Sequence, residues 1–403
     1  MSGSAADPPS PDRLAGVFSV SSVRRMDGTV QYIGDPLVPP AAAVEQLRPV
    51  FRQRGYDVRL EELGPESGDA AATTSNGGTP IVGGQSVDDS ITAAGGPLNA
   101  RPNRYALVAE PADTGTGGVP WLNIGLLLAT IASTLYVGAS AWYYIPVAED
   151  PLRVFEAWPF VVAMLGVLGI HELGHYAAAR YHGVDVTLPY FIPFPSYLGT
   201  MGAVINIRGR IPDRRALFDI GVAGPLAGLV ATVVVTAIGV TLPPVEVTRG
   251  IVTNIELGYP LLLQGIAAVM GEQLEYANPQ LLPNPVVIGG WVGAFVTFLN
   301  LLPVGQLDGS HVARSLFGDR LSLVQLAVPV ALFGLAGYLV AFEGGRAAGL
   351  WAFWGILALV FGRLGSATPL DETPLGPGRW AVGLLTFVLG MLCFVPVPLV
   401  ITM

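Results

Sequence analysis

The sequence predicts a polytopic α-helical membrane protein, with about seven spans and a strand-like re-entrant loop, carrying a small N-terminal α+β domain in the cytoplasm. Three observations carry that prediction. Hydrophobic residues make up 51% of the 403 positions and charged residues only 13%, where a soluble domain holds about a quarter charged. The charge is unevenly placed, since residues 1–118 hold 23 of the 51 Asp, Glu and Arg. From Trp121 onward the chain runs in apolar segments close to the ~20 residues that cross a bilayer as helix.

The N-terminal part reads as follows. Met1 to Pro11 lacks a basic start and an apolar run, so no signal peptide is expected, and residues 1–15 read as a disordered tail. Gly16 to Tyr32 reads as strand, with Val17, Phe18, Val20 and Val23, and Val30 and then Ile33 follow across an Asp27-Gly28 turn signal. Pro39-Pro40 opens a helix with Val44, Leu47, Val50 and Phe51 on one face, ending at Gly55. Tyr56 to Leu63 alternates as a strand, and Tyr105 to Val108 adds one more. Between them, residues 64–102 are rich in Gly, Ser, Thr, Ala and Asp and read as a low-complexity insertion. The domain is thus built from 16–63 and 103–110, and 111–120 is a linker.

Residues 121–403 are the transmembrane domain, with spans expected at 121–144, 154–182, 217–241, 287–303, 322–342, 349–364 and 379–401. Leu261 to Met270 is apolar but too short to span and reads as half-buried or re-entrant. Thr187 to Ile207 is apolar, bounded by Gly and Pro, and poor in helix signals. It reads as a strand-like loop, which lipid tolerates only where protein covers the backbone. Arginines set the orientation. Alternate loops carry Arg208, Arg210, Arg214 and Arg215, then Arg314 and Arg320, then Arg363 and Arg379; the opposite loops carry only Arg153, Arg249 and Arg346. In a multi-pass cell-membrane protein this puts the N-terminal domain inside, along with the C-terminal end of the 154–182 helix.

Composition also excludes function classes. Every basic residue is Arg, and the soluble part holds 14 Asp and Glu against 9 Arg. Such a surface lacks the basic footprint of a nucleic-acid binder. The lone Cys393 lies in an apolar run, which excludes disulfides and a cysteine-based metal site.

His171-Glu172-Leu173-Gly174-His175 sits inside the second span. On a helix, residues i and i+4 share a face, so His171 and His175 can hold one zinc ion through their imidazoles. Glu172 then lies beside the metal's water, where a general base belongs. An unpartnered carboxylate at that depth costs roughly 2.5–3.5 kcal/mol on insertion scales, which argues for a functional role. Two His leave zinc short of a ligand. The other intramembrane polar cluster runs from Asn300 through Pro303 to Asp308-Gly309, ending a span on the same side, so Asp308 reaches the depth of the His pair by topology alone. His311 is a rival ligand, read rather as a residue supporting the ligands from behind, and His182 as an interfacial residue.

HExxH followed downstream by Asn-x-x-Pro-x-x-x-x-Asp-Gly resembles the site-2 protease family of intramembrane zinc metalloproteases. The segments Phe191 to Ala203, Pro212-Asp213-Arg214 and Ala223-Gly224-Pro225 resemble the branch that lacks a PDZ domain and includes chloroplast homologues. The resemblance covers about residues 120–400. It implies that His171, His175 and Asp308 ligate one Zn²⁺ per chain, that Glu172 is catalytic, and that Asn300 lies near the substrate or oxyanion. It also implies a transmembrane protein as substrate, cut within the bilayer. Ser310-His311 departs from the Gly and Arg of many relatives. The N-terminal domain is a candidate for binding a cytoplasmic partner. Two other classes fit part of the pattern: a metal or ion transporter using the same intramembrane groups, and a non-catalytic membrane scaffold.

Overall fold

A computed structural model describes residues 7–26, 29–63, 104–111, 119–208, 211–247, 255–278, 280–318, 321–365, 367–369, 371 and 373–401. The chain divides into two compact units, Met1–Val119 and Pro120–Met403.

In the first unit, β1 (Phe18–Met26), β2 (Thr29–Pro36), α1 (Pro40–Arg52), β3 (Tyr56–Leu63) and β4 (Arg104–Pro111) follow in chain order. The strands pair antiparallel in the order β1-β2-β4-β3. Alternation aims Val30 and Tyr32, Tyr56 and Val58, Leu107 and Ala109 at one face, where Leu47 and Phe51 of α1 meet them in a single buried cluster. Phe51 stands edge-on to Tyr32 with ring centroids 5.7 Å apart. The core also takes in Leu14, fully buried and ahead of Gly16, while the Tyr32 hydroxyl donates to the Pro9 carbonyl. The Asp27-Gly28 turn and the 64–102 insertion lie outside the described residues.

The second unit is helical: α2 (Trp121–Val137), α3 (Trp158–Tyr181), α4 (Arg214–Thr241), α5 (Leu261–Met270), α6 (Val286–Asn300), α7 (Asp308–Phe317), α8 (Leu321–Phe342), α9 (Ala348–Leu364) and α10 (Pro377–Leu392). A π-turn, Gly138–Trp142, prolongs α2. Between α3 and α4, β5 (Tyr190–Pro193) and β6 (Thr200–Val204) form a hairpin. Two short pairings complete the unit, β7 (Val245–Glu246) with β9 (Leu281–Leu282) and β8 (Ile255–Leu257) with β10 (Leu399–Ile401).

Among the described residues, four helical stretches are long and apolar enough to cross a membrane: Trp121–Trp142, Pro151–Tyr181, Arg214–Thr241 and Val324–Phe342. This is fewer than the seven spans expected, because the segments predicted at 287–303, 349–364 and 379–401 form helices of 15, 17 and 16 residues. Pro303 follows soon after the end of α6 at Asn300. In the last segment, Pro396 and Pro398 deny the backbone N–H groups a continued helix needs, so the chain turns after Leu392 and finishes as β10. The stretch 261–270 is a ten-residue helix.

Local chemistry fixes the two central helices. Pro159 starts α3 with a pre-set φ and Gly183, at φ 68°, stops it in the left-handed region. Asp213 caps α4 by accepting from the Ala216 N–H at 2.7 Å. Half of the most apolar stretch of α3 and 56% of that of α4 are buried, against 22% for the first and last of the long helices. So α3, α4 and α6 form the centre, while α2 and α8 present side chains such as Leu128, Val330 and Val340 outward. Exposed apolar belts of this extent are solvated by lipid rather than water, and the protein is a membrane protein.

Glycines set the spacing between α3 and α4. A Cβ on Gly174 would meet the Ala223 carbonyl at 2.5 Å, and one on Gly224 would fall inside the His175 ring. Only small residues allow two helix backbones to approach this closely.

Candidate metal centre

The α3–α4 contact carries the site. His171 and His175, one turn apart on α3, turn to the same side and are 3% and 6% exposed. The chain returns through α6 and a short loop to Asp308, which opens α7 and has its side chain 15% exposed. Asp308 Oδ2 lies 3.2 Å from His171 Nε2 and 3.1 Å from His175 Nε2, and the two Nε2 atoms are 3.3 Å apart.

These spacings decide what the group can hold. On the other side of the ring, His175 Nδ1 lies 2.8 Å from the Ile220 carbonyl of α4. A carbonyl only accepts, so Nδ1 carries the proton and donates it. In a neutral ring that leaves the Nε2 lone pair facing the Asp308 carboxylate with no proton between them. Lone pairs converging on a carboxylate repel unless a cation sits among them. A tetrahedral zinc with ligand bonds of about 2.05 Å requires donor separations of about 3.3 Å, and the three donors stand at that spacing. Two neutral imidazoles and a carboxylate are also the ligand types that zinc accepts, so the residues fit the ion.

The surroundings form a chamber beside these donors. A cavity of about 710 Å³ is lined by the three donors together with Glu172, Asn300 and the Thr200–Ile205 edge of the hairpin. Glu172 borders the chamber together with Ile205 at the end of that edge. Asn300, the last residue of α6, has its amide nitrogen 3.2 Å from His171 Nε2. The hairpin is tied by two side chains: Ser133 Oγ of α2 donates to the Gly199 carbonyl at 2.6 Å and Trp142 Nε1 of the π-turn to the Tyr197 carbonyl at 2.7 Å.

The structure therefore gathers His171, His175, Asp308, Asn300 and Glu172 around one chamber. His311, a turn beyond Asp308 on α7, lines the same cavity but lies outside the group of converging donors found among the described residues. Its Nδ1 is buried and finds no hydrogen-bond partner among them. His182 is engaged elsewhere, 2.9 Å from Asp219. The Ile220 carbonyl and Gln306, which also borders the cavity, were not singled out from sequence. A backbone acceptor leaves no residue signature of its own, although Pro225 inside the apolar α4 marks the turn where the helix ladder is broken.

Residues 159–336 match the model of peptidase family M50. The probable zinc metalloprotease EGY1, chloroplastic, of Arabidopsis thaliana is 33% identical over 300 residues, covering 68% of this chain and 52% of the relative. The probable zinc metalloprotease EGY2, chloroplastic, of the same plant is 30% identical over 260 residues, covering 63% and 45%. The rice (Oryza sativa subsp. japonica) EGY3, described in the same words, is 30% identical over 296 residues, covering 69% and 48%. The chain spans about half the length of these curated relatives. No solved structure matches it.

Proposed function

With residues 159–336 the chain belongs to peptidase family M50, and on that premise we propose that it is a zinc metalloendopeptidase that hydrolyses peptide bonds within or beside the transmembrane segments of other membrane proteins. The observation that carries this is the convergence of His171, His175 and Asp308 at tetrahedral spacing beside a chamber of about 710 Å³. Those three residues would hold one zinc per chain. When bound there, zinc would supply Lewis acidity and a water of lowered pKa.

The protein's own groups do the remaining work. Glu172 shares the chamber, and its carboxylate takes the proton from the attacking water and returns it to the departing amine. The Asn300 amide donates to the oxygen that gains charge as the carbonyl carbon becomes tetrahedral. A helical substrate keeps its carbonyls in i to i−4 bonds, so its cleavage segment must unwind first. The edge of β6 along the chamber supports a route for this, in which the extended segment adds as a further strand. The two ties, from α2 and from the π-turn at Gly138–Trp142, hold that hairpin at the chamber.

The membrane in question is a cell membrane crossed several times, with the domain built from 16–63 and 103–110 in the cytoplasm and residues 121–403 forming the protease domain. The one-sided arginine distribution supports this orientation and a site close to the cytoplasmic face. The N-terminal domain is free to bind a cytoplasmic partner.

The test compares membrane proteomes of cells making the wild type or Glu172→Gln. A transmembrane protein truncated only in wild-type cells is the expected result. Identical fragment sets, with Glu172→Gln still loaded with zinc, would refute the proteolytic role. Metal uptake into vesicles by both forms without cleavage would favour a transporter instead.

A further inference from the structure

A second cluster of charged groups lies one residue away from the carbonyl that orients His175. Asp219, which precedes Ile220 on α4, is gripped by Arg379 of α10 through two parallel bonds, Nε to Oδ1 at 2.9 Å and Nη2 to Oδ2 at 2.8 Å. His182, just past the end of α3, approaches the same Oδ2 at 2.9 Å. The three side chains are 27%, 38% and 16% exposed, so the cluster is partly shielded. A planar bidentate pair of this kind fixes direction as well as distance.

The cluster bears on the metal centre through α4. Pro225 has no N–H to give the Gly221 carbonyl, so the helix ladder is interrupted immediately beyond Ile220. Carbonyls beside such a break can tilt off the axis, and the Ile220 carbonyl turns to α3 and receives His175 Nδ1 at 2.8 Å. A loosened turn is also a turn that can drift, and the apolar contact of Ile220 with Ala179 and Val184 holds it without fixing a direction. Asp219 supplies the stop, because it ties this turn to α3 through His182 and to α10 through Arg379.

We propose that Asp219, held between His182 and Arg379, is a positioning residue for the metal centre: it fixes the turn of α4 whose Ile220 carbonyl sets the tautomer and aim of His175. It touches neither substrate nor metal. Outer partners of ligating histidines typically change metal affinity 10–100-fold when removed. Asp219 acts one link further out, so the expected loss is about tenfold.

The inference rests on the zinc reading given under the proposed function, and its test keeps the two apart. The full chain, purified in detergent, is loaded with Zn²⁺ or Co²⁺ as wild type, Asp219→Asn, Arg379→Lys and Arg379→Ala. Arg153→Ala, which breaks an exposed pair with Glu156, serves as the control. Transfer of zinc to a chelator and the visible spectrum of the cobalt form are read. Asp219→Asn and Arg379→Ala should release zinc about ten times faster and shift the cobalt bands. Arg379→Lys, which keeps the charge but loses the fork, should fall between them and wild type, and Arg153→Ala should match wild type. If Asp219→Asn fails to fold, the two Arg379 variants carry the same comparison. Variants that load, release and absorb like wild type would overturn the positioning role alone. A wild type that takes up neither ion would overturn the zinc reading and this proposal with it.

Discussion

Replacing Gly224 by alanine puts a methyl group where the His175 ring stands. A Cβ built on Gly224 falls against Nε2, Cδ2 and Cε1 of that ring, far inside ordinary van der Waals separation. The ring must therefore retreat by an ångström or more, while a metal bond tolerates about ±0.2 Å. It has little room, because Nδ1 is held by the Ile220 carbonyl and the His171 ring packs edge-on with centroids 5.0 Å apart. Moving α4 away instead would withdraw that carbonyl. One of the three proposed ligands is lost either way, and zinc affinity should fall by at least about 100-fold, the upper end of what losing an outer partner does. Overpacking itself costs only about 1–3 kcal/mol, so the protein should still fold. Two other glycines calibrate the effect. At Gly228 a Cβ meets His171 Nδ1 at 2.8 Å, which calls for a shift of a few tenths of an ångström and a loss nearer tenfold; at Gly265 it meets nothing within 4 Å and zinc binding should not change. Elemental analysis of the purified full chain and competition with a chromophoric chelator give the ranking. Wild-type zinc affinity in Gly224→Ala, or an equal loss in Gly265→Ala, would refute the α3–α4 packing on which the reasoning depends.

Asp308→Asn keeps the shape of the third donor and removes its charge, so zinc per chain should drop; unchanged metal content in elemental analysis would remove Asp308 from the ligand set. His311→Gln should retain about one zinc per chain, since His311 stands outside the converging group; loss of metal would make it a ligand after all. Ser133→Ala cuts one of the two ties to the hairpin, and should raise KM for a transmembrane substrate more than it lowers kcat. A kcat-only effect, or none, would argue against the hairpin as the substrate's docking edge.

Much of the site can be read in the sequence, because its chemistry is concentrated in few residues. With four histidines in 403 positions, two of them spaced i and i+4 around a glutamate inside an apolar run point to one face and one ion. Asp308 is legible because the second polar cluster also closes an apolar run, which on the expected topology ends on the same side as the His pair. The hairpin between α3 and α4 is foreshadowed by a stretch rich in Gly and Pro that cannot be an ordinary helix. The helix lengths are less legible, since apolar composition does not mark where a helix ends, as at Asn300 or ahead of Pro396. The partners of His175 and His182 are the least legible. A backbone carbonyl carries no residue signature, and Asp219 with Arg379 joins positions 160 apart with no local pattern to connect them.

The small sheet has a consequence for how this chain tolerates change in length. Leu63 and Arg104 face each other as the last pair of the β3–β4 ladder, although 40 positions separate them in the sequence. The entropy of closing such an excursion grows only with the logarithm of its length, and about 40 residues cost roughly 2 kcal/mol more than about 4 would. A change of chain length between Leu63 and Arg104 should therefore cost this domain little stability, and a thermal melt of length variants would check it.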